Sequence, residues 1–190
     1  MSLLELVDNS RTDKNTRHSY LPLYQTLLEG KKDTANNVLE VGIDRGGSIK
    51  LWHDFFTNAV VYGLDIIPLE KVWEGIKNNK RIILHTSTDA YNETIFNTNF
   101  LEKGIKFDFM LDDGPHSLQS MKIFIRLYSK VMADDGILII EDVQSWDWID
   151  ILKAEVPDEL KKYIKVYDLR SNKNRYDDIV FTIDKHNVDK

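Results

Sequence analysis

The sequence contains no cysteine among its 190 residues. This absence excludes disulfides, thiolate nucleophiles and metal sites with cysteine ligands, and it fits a reducing compartment. Any bound metal must therefore use oxygen or nitrogen ligands. The sequence also lacks long apolar runs: no segment approaches the roughly 18 apolar residues of a membrane span, and the amino terminus lacks the basic and apolar pattern of a signal peptide. We expect a cytoplasmic protein that does not bind membranes.

Basic clusters are missing too, and the net charge is −6. A nucleic-acid partner is not expected, because such partners are held by grouped Lys and Arg side chains. The length fits one domain. We predict a single domain over residues 1–190, with a helical lead-in at 1–36 and an α/β core at 37–190. The charged residues of the segment 8–18, including Asp13, Lys14 and His18, are predicted to form a solvated surface.

Apolar runs that end in polar residues alternate with segments of helical periodicity. This alternation predicts a mostly parallel sheet with helices on both faces, which is the Rossmann-like α/β class. The last two runs are joined by a short polar loop and predict an antiparallel pair that closes a seven-stranded sheet. Such an ending differs from the six-strand parallel plan of dinucleotide dehydrogenases. The predicted strands are 38–42, 60–65, 81–85, 107–112, 136–140, 165–169 and 178–183.

A glycine-rich turn follows the first predicted strand. Glu40 and Gly42 end this strand, and Gly46 and Ser48 open the next helix, a pattern that lets a ligand approach the backbone and the helix amino terminus. Asp65 ends the second strand, where a carboxylate can hold ribose hydroxyls. The sequence favours a ribonucleotide-like ligand. A plain tight turn and a helix-capping role for Asp65 remain alternatives.

Polar residues also follow the third strand. Ser87 and Asp89 are candidates for contacts with the base of the ligand, and helix capping by Thr88 or Asp89 is the alternative. Helices are predicted at 69–78 and 91–100. His85 is more typical of a packed strand end than of catalysis.

The fourth and fifth strands end in four carboxylates. Asp112 and Asp113 precede a turn and His116, which we place at the start of a helix over 116–131, and Glu141 and Asp142 end the next strand. Carboxylates without thiolates are hard oxygen ligands of the kind that Mg²⁺ prefers. Asp113 as a turn residue, and Glu141 and Asp142 as helix caps, are the alternatives.

Together these motifs resemble class I S-adenosylmethionine-dependent methyltransferases. The runs 111–116 and 140–144, with Thr12, Lys14 and Tyr20, are similar more narrowly to the macrolide-tailoring sugar O-methyltransferases of the mycinamicin and macrocin type, which are related to the cephalosporin-hydroxylase-like group. The sequence departs from that pattern at Pro115, at 86–89 and after Gln144. The resemblance implies roles for individual residues: Glu40, Gly42 and Asp65 would hold S-adenosylmethionine, Asp113, Glu141 and Asp142 would bind Mg²⁺, and His116 would be the general base. Asp112 then falls on the cofactor side.

The expected activity is O-methylation of a sugar hydroxyl, in a free sugar, a nucleotide sugar, a glycan or a glycosylated metabolite. A sugar hydroxyl is a poor acid, so an adjacent cation and base suit the reaction. Catechol methylation, a dehydrogenase and a non-catalytic partner of a glycosyltransferase assembly are the competing hypotheses. The sequence specifies neither the acceptor nor the oligomeric state, and a homo-oligomer is compatible with it.

Overall fold

A seven-stranded sheet forms the centre of the molecule, and the computed structural model describes residues 1–188. The strand order is β3-β2-β1-β4-β5-β7-β6. The first five strands run parallel, and β7 pairs antiparallel with both β5 and β6. The predicted sheet and its closing antiparallel pair are therefore confirmed. The strands are β1 Asn37–Val41, β2 Val60–Leu64, β3 Ile82–His85, β4 Phe107–Asp112, β5 Met132–Ile140, β6 Ile164–Asp168 and β7 Ile179–Asp184.

Helices cover both faces of this sheet. One apolar layer packs α1, α2 and α3 on the first face, and the other packs α5, α6 and α7 on the second. The α-helices are α1 Leu3–Leu6, α2 Tyr20–Leu28, α3 Gly47–Phe55, α4 Glu74–Lys77, α5 Glu93–Phe96, α6 Leu118–Tyr128, α7 Trp148–Glu155 and α8 Arg170–Lys173. A π-helical turn, Asn97–Leu101, extends α5, and 3₁₀ turns lie at Glu29–Lys31, Leu69–Lys71, Ser129–Val131 and Asp158–Tyr163.

Several helices are shorter than the periodicity predicted. The helix expected over 116–131 begins at Leu118, because Ser117 and Ser120 form a capping box that fixes its start. His116 lies before this cap in a left-handed conformation, with φ of 53°. The helix expected over 69–78 is divided into a 3₁₀ turn and the single turn of α4.

The amino-terminal segment contradicts its predicted solvated character. Lys14 and His18 are only 1% and 4% exposed, whereas Asp13 is exposed as expected. A turn in which the carbonyl of Asp13 accepts the amides of Thr16, Arg17 and His18 folds this segment against the sheet edge. The prediction failed because both buried side chains have partners more than a hundred residues away, which local sequence does not show.

The strand order reverses between β1 and β4, so the chain leaves a crevice at the carboxyl ends of these strands. Across residues 1–188, none of the helices has the length and apolar character needed to cross a membrane.

Candidate active site

A cleft of about 860 Å³ lies at the carboxyl ends of the parallel strands. This volume is within the range of small-molecule and cofactor sites. The loops after β1, β2, β4 and β5 form its floor, and the segment from Asn9 to His18 forms one wall. Of the predicted site residues, the cleft is lined by Gly42, Ser48, Asp65, Asp89, Asp113, His116 and Asp142.

Gly42 joins the first strand to this floor. Its φ is +80°, and a Cβ here would collide with the carbonyl oxygen of Asp113, so the position requires glycine. The amide of Asp113 in turn donates to the carbonyl of Val41 at 2.9 Å. The close approach of these two strand ends places the glycine turn directly beside the carboxylates of β4.

Gly46 and Ser48 belong to the start of α3. Gly46 is the helix cap with φ of +89°, and a Cβ there would collide with Ile76. Gly46 therefore allows the turn to pack against Ile76 and does not itself line the cleft. Ser48 lines the cleft although it is 95% buried.

Asp65 extends from the end of β2 into the cleft. One carboxylate oxygen accepts the amide of Asp44 at 2.9 Å, and the other accepts the amide of Ile67 at 3.1 Å. These bonds fix the carboxylate at the glycine turn and leave each oxygen with further acceptor capacity. The Asp65 carboxylate is thus fixed in orientation at the cleft.

Glu40 is fully buried beneath the cleft. Its Oε2 accepts the indole N–H of Trp52 at 2.8 Å, and its Oε1 lies 3.4 Å from the ammonium of Lys14. The structure therefore places Glu40 beneath the cleft, which it does not line.

Asp112 also supports the site from below. The hydroxyl of Tyr91 donates to its Oδ1 at 2.5 Å, and the amide of Gly114 donates to the same oxygen at 3.2 Å. Burial raises the pKa of Asp112 to about 7, although both hydrogen bonds act to lower it. Tyr91 itself lines the cleft, so Asp112 orients a cleft residue.

The segment after β3 contributes less than its sequence suggested. The Asp89 carboxylate accepts the amide of Tyr91 at 2.9 Å, which is a local turn contact. Ser87 is exposed, has φ of 51°, and donates its amide to the carbonyl of Ile67 at 2.8 Å. Asp89 borders the cleft and Ser87 shapes the loop beside it.

Asp113, His116 and Asp142 converge at the end of the cleft next to the amino-terminal segment. The Nε2 atom of His116 lies 3.7 Å from Asp113 Oδ1 and 3.5 Å from Asp142 Oδ2. One ligand atom from each residue falls within 4.8 Å of the others, which is close enough for a single metal ion. The two carboxylates fit a divalent cation by donor chemistry, and the imidazole lies beside them.

Strained backbone accompanies this convergence. His116 and Asp142 have φ values of 53° and 55°, in the left-handed region. For residues with a Cβ this conformation costs about 1 kcal/mol or more each. In both cases the unusual conformation brings the side chain toward the shared centre.

Glu141 does not line the cleft and is not part of this group of three. Its Oε1 accepts from the ammonium of Lys14, and its Oε2 accepts the hydroxyl of Tyr24 at 2.5 Å. The ammonium of Lys14 also donates to Asp113 Oδ2 at 2.6 Å. The structure therefore brings together two of the three predicted metal ligands and pairs the third with a buried lysine.

Asp142 has its own set of partners. Its Oδ1 accepts the hydroxyl of Tyr20 and lies 3.3 Å from Nδ1 of His18. His18 Nδ1 is also 2.7 Å from Asp178 Oδ1. The carboxylates are thus surrounded by a group of side chains from the amino-terminal segment and α2, called the second layer of the site: Lys14, His18, Tyr20 and Tyr24.

The buried carboxylates differ in the direction in which their pKa values are shifted. Burial and then repulsion from Glu141 raise the pKa of both Asp113 and Asp142. Burial also acts to raise the pKa of Glu141, but the charge of Lys14 and the hydrogen bonds from Asp113, Lys14 and Tyr24 together outweigh it, and the pKa of Glu141 is lowered. For Lys14, burial acts to lower the pKa, and the neighbouring carboxylates raise it well above its usual value. A further cation beside Asp113 and Asp142 would stabilise their ionised forms.

Sequence reasoning missed the second layer. The spacing of Tyr20 and Tyr24 predicts an amphipathic helix, yet each hydroxyl bonds a carboxylate at a strand end. Their spacing of four was the available signal, because it places both hydroxyls on one face of the helix. Arg175 and Asp177, which join the cleft wall, carried no such signal.

No protein-family model matches the chain. Among solved structures, it superposes on the MycE methyltransferase from the mycinamycin biosynthetic pathway, in complex with Mg and SAH, with a TM-score of 0.74. The match covers 100% of this chain and 56% of that chain at 21% identity. The fold is therefore that of the class I, Rossmann-like methyltransferases.

Within this class, the sequence resembles sugar O-methyltransferases of antibiotic biosynthesis. It is 26% identical over 133 residues to the 8-demethyl-8-(2-methoxy-α-L-rhamnosyl)-tetracenomycin-C 3′-O-methyltransferase of Streptomyces olivaceus, covering 66% of this chain and 32% of that protein. It is 25% identical over 138 residues to the mycinamicin VI 2″-O-methyltransferase of Micromonospora griseorubida, covering 69% and 33%. The resemblance predicted from the motifs is confirmed. The chain spans about a third of the length of these curated relatives.

Proposed function

We propose that this chain is an S-adenosylmethionine- and Mg²⁺-dependent O-methyltransferase that methylates a sugar hydroxyl of a glycosylated small molecule. The observation that carries the proposal is the convergence of Asp113, His116 and Asp142 in the same cleft as the glycine turn and Asp65. The relatives named above act on glycosylated antibiotics, which supports a sugar hydroxyl as the acceptor.

The cofactor would lie along the floor formed by the glycine turn and Asp65. The carboxylate of Asp65, already fixed by two backbone amides, accepts the ribose hydroxyls. Gly42 lets the turn after β1 lie close against the backbone of Asp113, and Asp89 and Tyr91 would border the adenine. Bound S-adenosylmethionine supplies the methyl group.

The acceptor would enter at the end of the cleft near His116. Asp113 and Asp142 would hold Mg²⁺, which stabilises negative charge on an acceptor oxygen. His116 Nε2 would take the proton of the acceptor hydroxyl, and bound S-adenosylmethionine would supply the methyl group and leave as its demethylated product. His116 is partly exposed, with 30% of its side chain accessible, so an acceptor can reach it.

Most of the catalytic work assigned to the chain is placement. The sulfonium is a good leaving group, so holding the acceptor oxygen in line with the methyl group and removing one proton account for most of the rate. The left-handed conformations of His116 and Asp142 hold both side chains in position before any ligand binds.

The proposal is tested with matched acceptors. Purified chain is incubated with methyl-labelled S-adenosylmethionine, Mg²⁺, and pairs of macrolide or aromatic polyketide glycosides and their sugar-free aglycones. We expect label in the glycosides alone, bound as an acid-stable methyl ether on the sugar. Transfer to aglycones or catechols instead would contradict the sugar assignment. Failure of both S-adenosylmethionine and its demethylated product to stabilise the chain against heat would contradict the methyltransferase assignment.

A further inference from the structure

Three arginines line the cleft: Arg11, Arg17 and Arg175. Two of them are already paired with carboxylates. The Nε atom of Arg11 lies 3.1 Å from Asp8 Oδ2, and Arg175 donates to Asp177 Oδ2 at 2.7 Å. Arg17 is exposed, and its guanidinium has no carboxylate partner among residues 1–188. Arg17 is therefore the arginine of the cleft whose charge is available to a ligand.

The backbone that carries Arg17 is held in place by its neighbours. The amide of Arg17 donates to the carbonyl of Asp13 at 3.0 Å, and the carbonyl of Thr16 accepts from Lys173 Nζ at 2.8 Å. His18, the next residue, is buried. Arg17 thus offers several N–H donors from a fixed position on the cleft wall.

The wall that contains Arg17 spans the ends of three neighbouring strands. The carbonyl of Arg11 packs on Gly47, at the start of the helix that follows β1. Further along the wall, Nδ1 of His18 lies 3.3 Å from Oδ1 of Asp142, which follows β5. Since β4 lies between β1 and β5, the wall covers the middle of the sheet edge.

The proposed positions of the ribose and the acceptor determine where the rest of the cofactor would lie. The ribose would lie at Asp65, after β2, and the acceptor beside His116, after β4. The strand between these two is β1. The sulfonium joins the ribose to the transferred methyl group, so it would lie near the end of β1. The methionine part begins at this sulfur and would meet the wall that contains Arg17.

The methionine part carries an α-carboxylate, and the cleft is otherwise rich in negative charge. Seven aspartates line it against three arginines. A ligand carboxylate is repelled by such a lining unless a cation pairs with it. A guanidinium suits this task, because it can bind a carboxylate through two parallel N–H···O bonds.

We propose that Arg17 binds the α-carboxylate of the methionine part of S-adenosylmethionine. The inference rests on the methyltransferase function proposed above. It assigns to the amino-terminal wall a direct contact with the cofactor, in addition to its contacts with the carboxylates at the strand ends.

The test is a calorimetric titration of two cofactors into the wild type and Arg17→Met. One is S-adenosylmethionine, and the other is decarboxylated S-adenosylmethionine, which keeps the adenosine, the sulfonium and the amino group but lacks the carboxylate. Arg17→Met should bind S-adenosylmethionine on the order of tenfold more weakly, because a charge-assisted pair is lost. Its affinity for the decarboxylated cofactor should stay the same or rise, because this more cationic ligand no longer meets the charge of Arg17.

Arg126→Met is the matched control. Arg126 is exposed on α6 and does not line the cleft, and its guanidinium has no carboxylate partner within the described part of the chain. This variant should bind both cofactors as the wild type does. Arg11→Met tests the neighbouring arginine, and it should show no loss specific to the cofactor that carries the carboxylate, because Arg11 is already paired with Asp8.

Each outcome decides the inference. Wild-type affinity for S-adenosylmethionine in Arg17→Met, or a carboxylate-specific loss in Arg11→Met alone, would overturn the inference while the methyltransferase function stands. Equal weakening of both cofactors in Arg17→Met is the result of a structural role and would also overturn it. Binding of neither cofactor by the wild type would overturn the inference together with the proposed function. If Arg17→Met does not fold, Arg17→Gln, which also lacks the charge, decides by the same comparison.

Discussion

His116 is the residue on which the proposed chemistry depends most. Replacement by alanine should leave Mg²⁺ and cofactor affinity unchanged but lower turnover about 10²- to 10⁴-fold, the usual contribution of a general base. Binding is measured by calorimetry and turnover by methyl transfer. His186→Ala is a suitable control, because His186 lies near Asp135 at the far end of the sheet. Loss of Mg²⁺ binding in His116→Ala would instead make His116 a metal ligand, and full activity would remove it from the mechanism.

Asp112 should make stability depend on pH in the metal-free protein. Burial raises its folded-state pKa to about 7 from an ordinary value of 3.8, so the native state binds the extra proton between these values. The stability associated with that proton is complete below about pH 4 and is lost as pH rises toward 7. Asp112→Asn should remove this loss. Its free energy of unfolding, relative to the wild type, should rise by up to about 4 kcal/mol over this range.

Denaturant titrations in EDTA at several pH values measure this difference. A constant offset between Asp112→Asn and the wild type across the range would contradict the assignment of the titration to Asp112. A difference that falls with pH would contradict its sign.

The sequence predicted many of the cleft residues and little of the second layer. Asp65, Asp113 and Asp142 could be found because each ends an apolar run, and parallel strands bring their carboxyl ends together. Lys14 could not be assigned this way, because its partners come from three distant strand ends. Whether the predicted ligands bind cofactor and metal stays a prediction.

At the scale of elements, the amino-terminal segment acts as a wall of the cleft. The carbonyl of Arg11 packs so closely on Gly47, the first residue of α3, that a Cβ there would collide with it. The guanidinium of Arg11 also lies 3.9 Å from the centre of the Trp73 ring. The contact with the first residue of α3 therefore fixes the position of the amino-terminal segment that forms this wall.

Gly47→Ala should displace the wall while leaving the sheet intact. We expect faster tryptic cleavage at Arg11 or Arg17 and weaker cofactor binding, with a thermal stability close to that of the wild type. Gly104→Ala serves as the control, because nothing lies within 4 Å of its added Cβ, although its positive φ adds about 1 kcal/mol of strain. Unchanged proteolysis and unchanged affinity in Gly47→Ala would show that the wall does not depend on this contact.

Element boundaries were less predictable than element order. The succession of strands and helices along the chain followed from alternation and the closing pair, whereas α6 begins two residues later than its periodicity suggested because of the cap at Ser117. The cap at Ser117 is set by side-chain hydrogen bonds, and His116 has a left-handed backbone conformation; hydrophobic periodicity contains neither kind of information. Helix caps and left-handed residues also determine the local geometry of the site.

At the scale of the whole molecule, one sheet carries both apolar layers, and we propose that residues 1–190 fold as a single unit. The layers share strands β1, β4 and β5, so neither can open without exposing the other. Thermal or denaturant unfolding should then be one transition, coincident in far-ultraviolet circular dichroism and in the fluorescence of buried Trp52. Two separated transitions would contradict a single folding unit.

The central claim is that Asp113 and Asp142 hold a divalent cation for methyl transfer to a sugar hydroxyl. The most direct measurement is the initial rate of labelled methyl transfer to a glycoside by EDTA-stripped protein as Mg²⁺ is added back, for the wild type and for Asp142→Asn. The account predicts that wild-type activity is lost in EDTA and restored by Mg²⁺, and that Asp142→Asn needs far more Mg²⁺ or stays inactive while still binding S-adenosylmethionine. Equal rates in EDTA and in Mg²⁺, or wild-type Mg²⁺ dependence in Asp142→Asn, would contradict it.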